Sequence, residues 1–365
     1  MINLTDRRVS APQFFSLLFL SVLSTVFMYI SSPKIPIAQT ETLLRPIVFV
    51  VISLVVGLPA YFIYKNNVKN AEKGLIVKET KFLKITTSLF GAVYFVGALK
   101  TILRFDLFAS SELFPGSDMS IFLIAIVIVC GVLSTVGLNA LCRGSVIFCF
   151  IVVSATVFVM VSLVDEFDFL NFTPLFSGGV GQFVTDSFLF AIQATELGAI
   201  TLFLPQIKGS FKKHYITFVV LSGVAFIGVF AFVIGALGSF ADTQLFPTYT
   251  AVTLANFGLL ERIDALETAI WILCVVVKIS FYILITVKCL KKVLVKVSEK
   301  ILRIAVCVAL AVIPAFVSDN IESFGFVSNN ILTLVLYAVS VIILPCILLV
   351  YYRKVKPYEK ISEDI

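Results

Sequence analysis

Two ionisable residues stand near the middle of long apolar stretches, where a charge is costly. Glu196 occurs in the stretch 185–206, two residues before Gly198, and Lys278 occurs at a similar depth in the stretch 264–289. An ionised side chain at the centre of a membrane costs roughly 2.5–3.5 kcal/mol on insertion scales. The sequence therefore predicts that the two side chains pair with each other, or that each faces a water-filled cavity.

The chemistry that Glu196 offers depends on its surroundings. A carboxylate beside a glycine at a break in a helix can accept a proton or bind an amine, whereas one sealed against Lys278 is a structural ion pair. The sequence leaves both readings open. From the polar residues of four apolar stretches we predict a site that binds a small ligand. The candidate residues are Ser24, Thr25, Tyr94, Lys100, Gln193, Thr195, Glu196, Gly198, Lys278 and Tyr282.

Further polar residues follow one another in the stretch 84–108. Arg104 and Asp106 stand near its outer end, where a long basic side chain can extend to the membrane surface, so we interpret both as surface residues. Lys100 lies about 12 Å from that end at 1.5 Å per residue, which favours a position inside the membrane. Tyr94 could form a polar rim to a pocket, although packing is the favoured reading.

The sequence lacks the patterns that most enzymes and metal proteins carry. The single histidine, His214, follows two lysines at a predicted membrane edge, and the glycines of the stretch 178–181 follow no strand. The seven cysteines occur singly, without a C-x-x-C pair or a neighbouring histidine. We therefore predict no catalytic group, no cofactor, no metal site and no disulfide framework.

Apolar stretches dominate the chain and exclude a soluble protein. Hydrophobic residues make up 59% of the 365 residues and charged residues only 14%. Most stretches approach the roughly 20 residues that a membrane-spanning helix needs. We predict an all-α membrane domain, residues 1–365, with ten transmembrane helices. The predicted spans are 11–31, 45–64, 84–108, 119–139, 144–164, 185–206, 214–239, 264–289, 300–317 and 330–352.

The charges between the spans predict their orientation. With a cytoplasmic N-terminus, 22 of the 28 lysines and arginines fall on the cytoplasmic side, and the C-terminus lies there too. We expect these bases to face lipid headgroups. They form no continuous stripe, so the net charge of +6 does not indicate nucleic-acid binding. The predicted outer loops carry Glu112, Asp118, Asp165, Glu166, Asp168, Asp242, Asp319 and Glu322.

The spans divide into two groups of five at the predicted outer loop 165–184. Because five crossings reverse the direction of the chain, residues 11–164 and 185–352 can form an inverted repeat, as in many transporters. Lys100 in span three and Lys278 in span eight occupy similar places, which fits such a repeat. We expect the first helix of each half to be interrupted near the membrane centre.

One region resembles a known family. The stretch 246–282, FPTYTAVTLANFGLLERIDALETAIWILCVVVKISFY, is similar to the hallmark region of the B subunits of spore germinant receptors. The spacings Gly137-x5-Arg143 and Asn171-x-x-Pro174 also resemble that family. Span one differs, because Ser24 and Thr25 occupy the place of a glycine-rich break. The matching residues are Phe246, Pro247, Thr248, Tyr249, Glu261, Arg262, Asp264, Ala265, Leu266 and Trp271.

The resemblance implies a LeuT-like permease of the amino acid-polyamine-organocation superfamily, with spans one and six interrupted. It implies a place in the inner membrane of the endospore, beside an A subunit and a lipoprotein C subunit. The chain would bind a small germinant, such as an amino acid, between spans one, three, six and eight and signal germination. The alternative function is a proton-coupled amino acid permease. A passive scaffold is a third, and it predicts that pocket substitutions have no effect.

Overall fold

A computed structural model shows that the chain is helical along almost its whole described length. The apolar composition and the scarcity of interior charge favour this, because a helix satisfies all its backbone hydrogen bonds within one segment. The structure describes residues 9–30, 37–71, 75–77, 80–115, 120–173, 179–255, 263–317, 325–354 and 358–360.

The α-helices with described bounds follow one another along the chain, joined by short 3₁₀ and π-helical turns. They are α1 Ala11–Phe27, α2 Arg45–Val56, α3 Leu58–Ala71, α4 Lys81–Phe108, α5 Ser120–Thr135, α6 Gly137–Ser162, α7 Gly179–Ala191, α8 Ala199–Phe203, α9 Phe211–Leu237, α10 Pro247–Thr253, α11 Ile263–Val293, α12 Glu299–Val317, α13 Asn330–Tyr337 and α14 Leu344–Lys354.

The length and apolar composition of the helices indicate a protein that crosses a membrane several times. Helix lies within each of the ten predicted spans, and six stretches are long and apolar enough to cross a membrane. A seventh is a bent pair, Gly179–Ala191 with Thr195–Gln206. The remaining predicted spans coincide with α1, α5 and α12. The six are Thr40–Asn67, Lys81–Leu113, Gly137–Ser162, Phe211–Thr243, Asp264–Val293 and Gly325–Lys354.

The first helix differs from the prediction. α1 is continuous from Ala11 to Phe27, so within the described residues span one has no interruption at Ser24 and Thr25. The Ser24 hydroxyl donates a hydrogen bond of 2.7 Å to the carbonyl oxygen of Ser21 in the same helix. Such a bond keeps the hydroxyl within the helix that carries it. Ser24 and Thr25 therefore lie in a helix that continues without a break.

Helix α11 forms the centre of the bundle. In its most apolar 18-residue window, 83% of the residues are buried, more than in the other five long apolar helices. A helix that is hydrophobic on every side must be surrounded by other helices. It packs along most of its length against α4, and it also contacts α1, α5, α6 and α12.

Two glycines of α4 permit its close packing on α11. A Cβ at Gly91 would lie 2.8 Å from the Cβ of Cys289, and one at Gly97 would lie 2.9 Å from the Tyr282 ring. The Thr286 hydroxyl donates a 3.4 Å hydrogen bond to the Gly91 carbonyl. Small residues at such contacts let two membrane helices approach closely.

We expect Gly91→Ala to lower the free energy of unfolding by about 1–3 kcal/mol, because the added methyl group must push α4 away from α11. Denaturant titration of the purified protein in detergent measures the effect. The matched control is Gly228→Ala in α9, where the new Cβ would lie 3.5 Å from the Met160 methyl group. Equal stability of the two variants would contradict the close contact.

The other helices pack in pairs around this centre. α1 contacts α6 and α9, α7 contacts α2, and α5 contacts α12. The segment Thr195–Gly198 packs on the π-helical turn Ala338–Ile343 between α13 and α14, and α12 contacts α4. These pairs place α1, α4, α11, α13 and the bent pair around one space.

Two short strand pairs join segments at one end of the bundle. β1, Val9–Ser10, pairs in parallel with β3, Ile207–Lys208. β2, Leu75–Val77, pairs antiparallel with β4, Tyr358–Lys360. All four strands lie in segments that the charge pattern assigns to the cytoplasmic side.

Candidate functional site

The bent pair supplies the irregular backbone of the site. α7 ends at Ala191, and the chain bends by 51° before it continues as 3₁₀ helix at Thr195–Gly198. Within the bend the Thr195 amide donates to the carbonyl of Gln193 at 3.0 Å, in place of a helical bond. The Tyr94 hydroxyl of α4 donates a 3.1 Å hydrogen bond to the Thr195 carbonyl. A neighbouring helix thus satisfies a carbonyl at the bend, as burial requires.

Glu196 and Lys278 form an ion pair directly after the bend. The exposed fraction of the two side chains is 0% for Glu196 and 9% for Lys278, so the pair is sealed among helices. The Lys278 ammonium also donates a 3.0 Å hydrogen bond to the Thr25 hydroxyl of α1. One lysine on α11 therefore joins α1 to the bent pair.

An aromatic layer closes the site on its inner side. The Thr195 and Tyr282 hydroxyls share a 3.0 Å hydrogen bond, and the Tyr94 and Tyr282 rings lie 5.1 Å apart. The Lys278 ammonium lies 5.8 Å from the centre of the Tyr282 ring, within the range of a cation–π contact. These contacts fix the floor of the space beside the bend.

A polar cavity lies between this floor and the outer ends of the helices, and we call it the central cavity. It offers about 40 Å³ of room for the centres of water molecules, enough for roughly three waters. Lys278 lines it, whereas Glu196 lies behind Lys278. Six candidate residues line the central cavity: Thr25, Lys100, Gln193, Thr195, Lys278 and Tyr282.

The other four candidates do not line the central cavity. Ser24 bonds within α1, Tyr94 lies in the floor, and Glu196 contacts Lys278. Gly198 instead faces α13 and α14, where a Cβ would lie 2.8 Å from the carbonyl carbon of Ser340. Glu196 is paired with Lys278 and is not among the residues that line the central cavity.

Several lining residues were not predicted as site residues. Arg104 lines the central cavity, and its Nε has no hydrogen-bond partner among the described residues. The interpretation of Arg104 and Asp106 as surface residues was wrong, because helix continues beyond Phe108 to Leu113 and places both deeper. Asp106 is only 8% exposed. Thr333 of α13 accepts a hydrogen bond from the Lys100 ammonium. A lone threonine in an apolar span gives no sequence signal for such a role.

A second cavity, the outer cavity, adjoins the first. It shares Thr25, Arg104 and Gln193 with the central cavity and offers about 50 Å³ for the centres of water molecules. Ile30 at the end of α1 and Asn330 at the start of α13 also line it. The two cavities form a polar path from the central cavity toward the predicted outer side.

A buried ion pair holds the outer half of the bent pair. The Arg45 guanidinium of α2 lies 3.2 Å from the Asp186 carboxylate of α7, and both side chains are almost fully buried. Arg45 also donates a 3.4 Å hydrogen bond to the Tyr29 hydroxyl, beyond the end of α1. Tyr29 lines the outer cavity. The pair thus fixes the wall of that cavity between α1, α2 and α7.

Comparison with known proteins shows the family to which the chain belongs. A family model described as spore germination protein matches residues 8–323, most of the chain. The chain belongs to the spore germination permease family. No curated protein matches it at a significant level. The resemblance read from residues 246–282 is confirmed, and this spore germination permease is a membrane protein of a permease type and not of an enzyme family.

The structure shows what the described part of the hallmark region does in this permease. Pro247 begins the short helix α10, whose Thr248 hydroxyl contacts the Val26 carbonyl of α1 at 3.5 Å. The rings of Phe246 and Tyr249 each lie 5.2 Å from that of Phe108 in α4, which also packs edge-on against Trp271 of α11. The motif therefore fixes the outer ends of three helices around the site. Glu261 and Arg262 lie outside the described residues.

Proposed function

We propose that this permease is the membrane-embedded subunit of a spore germinant receptor. It binds a small germinant, an amino acid, in the central and outer cavities and signals germination by a change in helix packing. The observation that carries the proposal is the polar cavity beside the bend. Its candidate residues converge there from α1, α4, the bent pair and α11. Polar and charged groups inside a membrane protein mark ligand or ion pathways.

The packing of the helices supports a ten-span, five-plus-five inverted repeat. In such a repeat each span of the first half corresponds to the span five places later, so that span one corresponds to span six. Spans one and seven are in contact, and so are the corresponding spans six and two; spans one and five are in contact, and so are spans six and ten. Spans three and eight, which correspond to each other, are in contact, and the contact of spans four and eight corresponds to that of spans nine and three. An odd number of spans in each repeat makes the relation an inverted one.

The strand pairs support the proposed orientation, with both ends of the chain in the cytoplasm. β1 and β3 join the start of span one to the end of span six, and β2 and β4 join the loop after span two to the segment after span ten. All four segments carry or adjoin the predicted cytoplasmic bases. In the receptor the permease resides in the spore inner membrane and works with an A subunit and a lipoprotein C subunit.

We expect a ligand to signal in this arrangement because its pocket lies between elements that are packed in different ways. α4 and α11 pack tightly through Gly91, whereas the bent pair meets them mainly through the polar contacts of Thr195, Glu196 and Lys278. A germinant that binds one packing of these elements better than the other shifts the population toward it. The partner subunits then respond to that change in helix packing.

A thermal-shift screen of the purified chain against amino acids, sugars and nucleosides tests the proposal. An amino acid at one hundred times its dissociation constant adds about 2.7 kcal/mol to the stability of the folded state. We expect Gln193→Met to abolish this stabilisation and the spore response to that amino acid, because Gln193 lines both cavities.

The matched control for this experiment is Gln244→Met, in the loop that precedes α10 and outside both cavities. We expect this variant to bind and respond as the native chain does. If no compound stabilises the protein, and spores that carry Gln193→Met respond normally, the receptor proposal is wrong.

A second candidate function, a proton-coupled amino acid permease, draws support from one further observation. A third cavity, the inner cavity, lies on the other side of the floor and is lined by Phe90, Lys288 and Tyr352 among others. Along α4 and α11, Tyr94 and Tyr282 stand between residues that line the inner cavity and residues that line the central cavity. Accumulation of radiolabelled amino acid in proteoliposomes with the purified chain alone would favour transport over sensing.

A further inference from the structure

The charges around the central cavity do not balance. Three cationic side chains line it: Lys100 and Arg104 from α4 and Lys278 from α11. Lys278 is paired with Glu196, which lies behind it. Among the residues that the structure describes, neither cavity has an acidic residue in its lining. Two basic side chains, Lys100 and Arg104, therefore face this space without an acidic partner in its described lining.

The two unmatched cations have only weak partners in the described structure. The Lys100 ammonium donates to the neutral hydroxyl of Thr333, and Lys100 is only 8% exposed. The Nε of Arg104 is buried without a hydrogen-bond partner among the described residues. Asp106, two residues further along α4, lines neither cavity. A buried charge without a counter-charge is costly, so a mobile anion in this space would stabilise the protein.

The backbone offers no substitute for these cations on the α1 side. α1 is continuous through Ser24 and Thr25, so its amide groups there serve the hydrogen bonds of their own helix. In the bend, the amides of Gln193 and Thr195 also donate to carbonyl groups of the chain, so the amides of these lining residues are already used. An anion in the central cavity must therefore be held mainly by side chains. Lys100 and Arg104 stand four residues apart on one helix face, where two side chains can contact one bound group.

The size of the space sets a limit on the anion. The central and outer cavities meet at Thr25, Arg104 and Gln193, and each holds roughly three water molecules. A guest that fills both has roughly six to nine non-hydrogen atoms. Because Arg104 borders both cavities, an anionic group at either end of such a guest can approach it.

We propose, as an extension of the germinant-binding function above, that this site takes a small organic anion of the dicarboxylate class, an acidic amino acid included. Lys100 and Arg104 bind its carboxylates, and they select it against neutral compounds of the same shape. Arg104 acts at the junction of the two cavities, where its planar guanidinium can hold a carboxylate by two parallel hydrogen bonds. Lys278 remains paired with Glu196, and its positive charge in the cavity wall also attracts the anion.

Binding of a charge series to the purified full chain tests this. The probes are succinate, L-aspartate and L-asparagine, and the last two have nearly the same shape but differ by one charge. We expect the affinity to fall in that order. Lys100→Met and Arg104→Gln should each weaken L-aspartate binding about tenfold or more, as loss of a charged hydrogen bond does. Arg104→Lys should restore part of the affinity.

The matched control is Arg143→Gln, which removes an exposed arginine at the opposite side of the membrane and should leave binding unchanged. If L-asparagine or L-alanine binds as tightly as L-aspartate, and Lys100→Met and Arg104→Gln leave that binding unchanged, the anion proposal is wrong although the receptor proposal stands. Saturation by chloride with no binding of any organic anion also overturns it. If no compound of the wider screen binds either, both proposals fail.

Discussion

Replacing Glu196 by glutamine is expected to destabilise the protein by about 3–5 kcal/mol, the largest effect of any single substitution considered. The change leaves the Lys278 ammonium without its counter-charge in an interior where it is only 9% exposed. Breaking a buried ion pair by removing one partner costs this much because the remaining charge stays desolvated. Denaturant titration in detergent measures the loss.

The reciprocal variant, Lys278→Met, leaves the fully buried Glu196 carboxylate and is expected to cost about as much. The double variant Glu196→Gln with Lys278→Met should be more stable than either single variant, because no unpaired charge remains. Residues in direct contact give such non-additive effects.

The control for charge removal is Lys213→Met, which alters an exposed lysine at the start of α9 and should change stability by less than about 0.5 kcal/mol. If the effects of Glu196→Gln and Lys278→Met simply add in the double variant, the two side chains are not coupled. The ion pair at the bend would then be contradicted.

Substitution of Gly198 by alanine is expected to weaken the packing of the bend on the last span. A Cβ at this position would lie 2.8 Å from the carbonyl carbon of Ser340 in the π-helical turn between α13 and α14. Backbone atoms cannot move aside as the end of a flexible side chain does. The segment that carries Glu196 must therefore shift away from the last span, at about 1–3 kcal/mol.

Loss of ligand response should accompany this loss of stability. Thr195 and Glu196 would move with Gly198, and the contacts of Thr195 with Tyr282 and of Glu196 with Lys278 would lengthen. Thermal shift with a stabilising ligand measures this. The matched control is Gly181→Ala in α7, where no atom lies within 4 Å of the new Cβ. Equal ligand response in the two variants would count against the packing of the bend on the last span.

The ionisable residues of the site were the part most accessible to sequence reasoning. Glu196 and Lys278 stand out because few interactions can offset a charge at the centre of an apolar stretch. The structure pairs them, as one of the two predicted arrangements required. It also places Lys278 in the wall of the central cavity. The other predicted arrangement, in which each side chain faces a cavity, therefore holds for Lys278 and not for Glu196.

The position of Arg104 could not be read from the sequence because the end of the helix was misplaced. The predicted third span ends at residue 108, whereas helix continues as a π-helical turn to Leu113. Five more residues add about 7 Å at 1.5 Å per residue, enough to bring Arg104 from the surface to the cavities. A helix end is the least certain part of a sequence prediction.

The contributions of α1 and α13 depended on packing that no local pattern encodes. Ser24 and Thr25 suggested a break, yet Ser24 bonds to its own helix, and Thr25 binds Lys278 from an intact one. Thr333 is one threonine in an apolar span, and only the approach of α4 gives it the Lys100 ammonium as a partner.

Protection of an introduced cysteine by a ligand shows whether a solute enters the space beside the bend. In Thr101→Cys the thiol lies in the wall of the central cavity, and mass spectrometry of that peptide reports its reaction with a small membrane-impermeant thiol reagent. We expect slow labelling that a stabilising ligand suppresses, while Thr253→Cys on the exposed end of α10 reacts equally with and without it. Labelling of Thr101→Cys that the ligand leaves unchanged would show that no solute enters this space.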